Sequence, residues 1–200
     1  VTDRDRVRAA FDECVSLHRQ VGEREAGAIE RAAAVIREAL KAGRQVLVFG
    51  NGGSATDAQH FATELVGRFL VERRGWPVIA LTADSAVMTS VANDFGFAEV
   101  FARQIEALGR KGDVALAITT SGASANVNEA LRRARAAGLH TIALTGRTGG
   151  ETAGLADVHV NVPGTTSPRV QEVQRTILHV MCELIERTQD PGRGTDRADG

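Results

Sequence analysis

Two segments far apart in the chain carry side chains suited to one chemistry. Gly50-Asn51-Gly52-Gly53-Ser54 leads into His60 and Glu64, and a late stretch carries Gln171 and His179. A glycine turn lets backbone approach a bound anion, because a residue without Cβ reaches positive φ freely. Imidazole and carboxylate are groups that move protons or hold a metal ion. Together the two segments suggest phosphate binding joined to proton transfer. The turn lacks both the Walker lysine and the spacing of the dinucleotide fingerprint.

His60 and Glu64 are four apart on a helix-like segment, so they share one face and could share a metal or a substrate. An ordinary surface pair would have the same spacing. Gln171 and His179 are eight apart, about 12 Å along a helix axis and roughly 80° around it. Chelation from neighbouring turns is therefore excluded for them. They could meet one ion only if Gln171 sits near the helix start and both side chains reach inward from opposite directions.

A second turn is richer in hydroxyls. Thr119, Thr120, Ser121 and Ser124 surround Gly122 just ahead of a helical segment. Free N–H groups and the positive end of the helix dipole favour an anion there, and a sugar phosphate is a natural guest. The plainer reading makes Ser124 an N-cap and the threonines a strand end.

The elements that must position these residues read as alternating strands and helices. Short continuous apolar runs at 46–49, 77–81, 114–118, 141–144 and 158–162 suit strands buried on both faces. Helices are expected at 54–70, 85–92, 96–108, 124–138 and 167–188. The predicted fold is an α/β five-stranded parallel sheet flanked by helices. Residues 1–43 add an N-terminal helical pair with a break near Val21-Gly22, and 44–188 form the α/β core of a single domain over 1–188. Residues 189–200 have nothing apolar to bury and are expected to be a disordered tail.

Composition narrows the partners. The 24 Lys+Arg nearly balance the 25 Asp+Glu, so no broad field favours nucleic acid or an anionic membrane. The first residues are charged where a secretory signal needs an apolar stretch, and no run approaches about 18 apolar residues. A cytoplasmic protein with no membrane partner is expected. Cys14 and Cys182 have no CxxC neighbour and are expected to be reduced and buried.

The motifs carry a resemblance when taken together. Asn51-Gly52-Gly53-Ser54, His60-Phe61-Ala62, Glu64-Leu65, Ala92-Asn93-Asp94-Phe95-Gly96-Phe97, Thr120-Ser121-Gly122 and Arg169-Val170-Gln171-Glu172 with His179 resemble the phosphoheptose isomerases of the sugar isomerase (SIS) family, over about residues 5 to 188. The resemblance implies a flavodoxin-like SIS fold, a homotetramer with active sites between subunits, and Zn2+ held by His60, Glu64, Gln171 and His179. It implies sugar-phosphate contacts at Asn51, Gly52, Gly53, Glu64, Asn93, Asp94, Thr119, Thr120, Ser121, Ser124 and Gln171. It further implies conversion of sedoheptulose 7-phosphate to D-glycero-D-manno-heptose 7-phosphate through an enediolate, with Glu64 as base and His179 as acid. Departures are mild: Thr119 stands where serine is usual, Ala123 where asparagine is frequent, and Gln174 where histidine is frequent.

Two other readings compete. Non-catalytic relatives of the same fold bind the replication protein DnaA and share a stretch similar to Ala58–Ala62, but they typically lack the acid and imidazole found here at Glu64 and His179. Amino-sugar phosphate isomerases normally need further domains or a distinct catalytic histidine, for which this chain leaves little space.

Overall fold

A computed structural model describes residues 1–187; the expected domain end at 188 and the tail 189–200 lie outside the described residues. The strands are β1 Val46–Gly50, β2 Val78–Ala80, β3 Val114–Ile118, β4 His140–Gly146 and β5 Val158–Val162. All neighbouring pairs are parallel, in the order β2-β1-β3-β4-β5. This is the doubly wound flavodoxin-like arrangement, whose strand order reverses between β1 and β3.

Alternation along each buried strand divides the core. Val46, Val48, Val114, Leu116, Ile118, Ile142 and Leu144 pack on one side of the sheet. There they meet α2 (Ala26–Lys41), α3 (Gly53–Val66) and α7 (Ser167–Glu186). Leu47, Phe49, Ala115, Ala117 and Ala143 pack on the other side, against α5 (Ala102–Leu108) and α6 (Ala125–Ala136). Both faces are thus covered, as a parallel sheet requires. Among the described residues no helix is long and apolar enough to cross a membrane.

Several boundaries differ from the sequence expectation. The first helix, α1 (Asp3–Arg24), runs through Gly22, which a helix tolerates at a cost of about 1 kcal/mol. The break falls instead at Glu25, whose N–H bonds the Val21 carbonyl at 2.8 Å while its own carbonyl accepts from Ile29 at 2.9 Å. Helix α4 extends over Ser85–Phe95, and the expected helix 96–108 is divided. Gly96, at φ 90°, turns the chain into a 3-10 turn at Phe97–Glu99 before α5 begins. An unexpected 3-10 turn spans Glu151–Leu155. Cys182 is buried, but Cys14 is only half-buried.

Helix α3 stops at Val66 rather than near 70, and the cause lies far along the chain. The Arg73 guanidinium donates to the carbonyls of Glu64 (3.0 Å), Leu65 (2.8 Å) and Gly67 (3.2 Å), satisfying the groups a helix end leaves open. Arg73 Nε is paired at 2.9 Å with Glu186 Oε1, and both side chains are almost wholly buried. The same carboxylate accepts the N–H groups of Phe69, Leu70 and Val71 at 3.0, 2.8 and 2.9 Å. One acid at the end of α7 therefore shapes the segment after α3. Glu186→Ala should lower unfolding free energy by about 3–5 kcal/mol, because it strands a buried cation and three amides. Urea denaturation measures this, and a loss under about 1 kcal/mol would contradict the anchoring role.

Candidate active site

Helices α3 and α7 lie side by side and are joined by a series of contacts that advance together along both. The first is at Gly53, where an added Cβ would collide with the Gln171 amide. One turn on, Arg175 donates to Asp57 Oδ1 from Nε at 2.8 Å and from Nη2. The next turn brings His60 Nε2 within 2.7 Å of His179 Nε2. Beyond the end of α3, Phe69 stacks on His179 at 5.6 Å between ring centroids, and Glu186 holds the backbone there. The two helices therefore run in the same direction, in register turn for turn.

Glu64 adds a carboxylate to this meeting point, with Oε1 at 3.2 Å from His60 Nε2. Ligand atoms of His60, Glu64 and His179 all lie within 4.8 Å of one another, so the three could hold a metal ion. Two facing imidazole nitrogens and a carboxylate oxygen form a donor set that suits divalent zinc. The His60 pKa is pushed below its ordinary value, first by burial and then by the nearby Arg175 cation, against the pull of Glu64. A neutral imidazole with a free lone pair is the form that ligates metal. Gln171 stands two contacts earlier, at Gly53, and so apart from this cluster in the chain.

The two turns meet where the sheet order reverses. A Cβ on Gly50 would lie 2.6 Å from the Ile118 carbonyl, so the ends of β1 and β3 touch backbone to backbone. Thr119 is buried, and its Oγ1 accepts the Gly122 N–H at 3.3 Å while lying 3.4 Å from Ser121 Oγ. Ser121 Oγ also accepts from the Ala123 N–H at 3.2 Å, and Thr120 Oγ1 meets Ser167 Oγ at 3.1 Å. Ser124 occupies the N-cap position of α6 but makes no capping hydrogen bond, which leaves its hydroxyl uncommitted. Gly122, at φ 65°, packs directly on Gly149 and Gly150.

Other expected residues are placed differently. Asn93 and Asp94 are exposed on α4 and bonded to each other at 2.8 Å. A cavity of about 530 Å³ opens between α1, α3 and α7, with Gly53, Asp57, Gln171 and Arg175 among its walls. The His60–Glu64–His179 cluster and the hydroxyl-rich turn do not line it. Sequence reasoning missed Asn126, buried and bonded to Asn51, and the Asp57–Arg175 pair, for which no spacing rule existed. Gln174, at the position where histidine is frequent, is wholly buried and donates to the Thr119 carbonyl at 3.3 Å.

Comparison with known proteins follows the same architecture. A family model described as "SIS domain" matches residues 11–146. The phosphoheptose isomerase of Geobacter sulfurreducens is 51% identical over 166 residues, covering 83% of this chain and 88% of that protein. That of Halorhodospira halophila is 47% identical over 193 residues, covering 95% and 98%. The solved structure of a phosphoheptose isomerase from Neisseria gonorrhoeae superposes with a TM-score of 0.89 at 40% identity, covering 93% of this chain and 100% of that one. The chain therefore belongs to the SIS-domain family and, within it, to the phosphoheptose isomerases.

In metal-free protein the depressed His60 pKa has a consequence for stability. Between the folded pKa and the ordinary 6.5, the unfolded state binds more protons at this site than the folded state does. Stability from this site is therefore present above pH 6.5 and lost as pH falls through the folded pKa. A histidine NMR titration should place His60 below 6.5, and titration at or above that value would contradict the burial argument.

Proposed function

We propose that the chain converts sedoheptulose 7-phosphate to D-glycero-D-manno-heptose 7-phosphate, the aldose–ketose isomerisation that the names of its relatives suggest. The observation that carries this reading is the convergence of His60, Glu64 and His179 from two helices onto one point. Zinc held by those three side chains together with Gln171 would polarise the oxygens on C1 and C2 and stabilise negative charge as it develops.

The chain's own groups supply the rest. Thr119, Thr120, Ser121 and Ser124, with the N–H groups opening α6, hold the phosphate, and Asn51, Gly52 and Gly53 bring backbone close beside it. Glu64 takes the proton from C1 of the open-chain ketose, leaving an enediolate. His179 protonates the developing alkoxide, a proton returns at C2, and loss of the O1 proton leaves the aldehyde. Gln171, whose amide lies against Gly53, serves this reading as a sugar contact and as the fourth metal ligand. A carboxylate that also binds metal is a weaker base, so metal ligation by Glu64 would work against its part as base at C1.

The reading includes a homotetramer whose sites lie between subunits, in the cytoplasm. Asn93 and Asp94 favour it, since they are exposed on α4 and would reach substrate in a neighbouring copy. So does the apolar stripe of Val7, Phe11 and Val15 on α1, each more than half exposed. The DnaA-binding alternative gains nothing from the site, because a binding module has no use for a converged acid, base and metal set.

Incubation of purified protein with sedoheptulose 7-phosphate after zinc loading should yield the heptose phosphate. Glu64→Gln and His179→Ala should each lower kcat by about 10² to 10⁴. A silent wild-type protein would refute the reaction, and full activity in both variants would refute the assigned roles.

A further inference from the structure

Asn51 and Asn126 form a closed amide pair. Asn51 Nδ2 donates to Asn126 Oδ1 at 2.8 Å, and Asn126 Nδ2 donates back to Asn51 Oδ1 at 2.9 Å. Turning either amide over alone would set N–H against N–H and oxygen against oxygen, so the pairing locks the orientation of each amide to that of the other. Asn126 is 3% exposed, and a satisfied amide pair in such surroundings is stronger than one in water.

Position gives the pair its meaning. Asn51 follows β1, and Asn126 lies in the first turn of α6, which follows β3. Ligands of doubly wound sheets collect in the crevice where the strand order reverses, and here that is between β1 and β3. Gly50 meets the Ile118 carbonyl at the strand ends, and one residue beyond Gly50 the amide pair joins the two turns. Each amide has two N–H groups and an oxygen with two acceptor sites. The pair uses one donor and one acceptor site on each side, so one N–H of half-buried Asn51 is left over, and it cannot turn unless Asn126 turns with it.

We propose that Asn126 is a positioning residue for the phosphate crevice, acting through Asn51: it fixes the separation of the two turns and aims the spare Asn51 N–H at the ligand. This rests on the assignment of the crevice to phosphate made above. It gives Asn51, besides the substrate contact expected of it, a second part as half of a clamp.

The test compares zinc-loaded wild type with Asn51→Ala, Asn126→Ala, Asn126→Asp and the double alanine variant. Both alanine variants should raise the KM for sedoheptulose 7-phosphate about tenfold with kcat within about twofold, and the double variant should be no worse than either single one. Asn126→Asp keeps the volume but cannot donate to Asn51 Oδ1, so it should match Asn126→Ala in KM. It also carries the test if the alanine variant fails to fold. Calorimetry with inorganic phosphate should show the same weakening in every variant, and it decides the clamp even if wild type does not turn over the heptulose phosphate. The proposal is overturned by an Asn126 variant that melts lower with unchanged KM and phosphate affinity, by penalties that multiply in the double variant, or by wild type that binds no phosphate.

Discussion

The structure depends on the register between α3 and α7. Each helix alone presents a scatter of polar side chains that could do little. Aligned in parallel and matched turn for turn, they bring Gly53 to Gln171, Asp57 to Arg175 and His60 to His179. A slip of one residue would rotate every one of these side chains by about 100° and dissolve the set. The Asp57–Arg175 ion pair and the Glu186 carboxylate hold that register from either side of the histidines. The apolar faces beneath, including Phe61, Leu65, Leu178 and Cys182, set the depth at which the helices sit.

Much of this was legible in the sequence, for physical reasons. Strands buried on both faces must be apolar throughout, so Val46–Phe49 and Val114–Ile118 announced themselves, and the glycines and hydroxyls after them marked the ligand end of the sheet. His60 and Glu64 were readable as a pair because helix geometry alone sets their relation. What could not be read was anything fixed by a partner distant in sequence. The end of α3 is decided by Arg73 and Glu186, and local propensity alone gave no sign of it. Gln171 and His179 share a helix with a known rise, but which turn of α3 each would meet depended on packing. Asn126 belongs to none of the motifs read from the sequence, and only the structure shows that it faces Asn51.

A division of labour follows from the topology. In the proposed reading the centre of the sheet supplies the phosphate crevice at the β1–β3 reversal, built from backbone and hydroxyl groups that carry no net charge of their own. The α3–α7 pair supplies the titratable groups, one turn or more beyond the glycine turn on the same helix. Because α3 begins at Gly53 and carries His60 and Glu64, a single helix would join the proposed phosphate binding to the proposed proton transfer. Near-neutral overall charge fits the proposed arrangement, in which an anionic sugar would be recognised locally at a turn and not through a field over the whole surface.

X-ray absorption at the zinc edge of the metal-loaded protein tests the central claim most directly. A zinc shell of nitrogen and oxygen with the outer scattering of two imidazoles, losing one imidazole in His60→Ala and one in His179→Ala, is the predicted result. A shell containing sulfur from Cys14 or Cys182, or one unchanged by both substitutions, would contradict the convergence of these two helices on one ion.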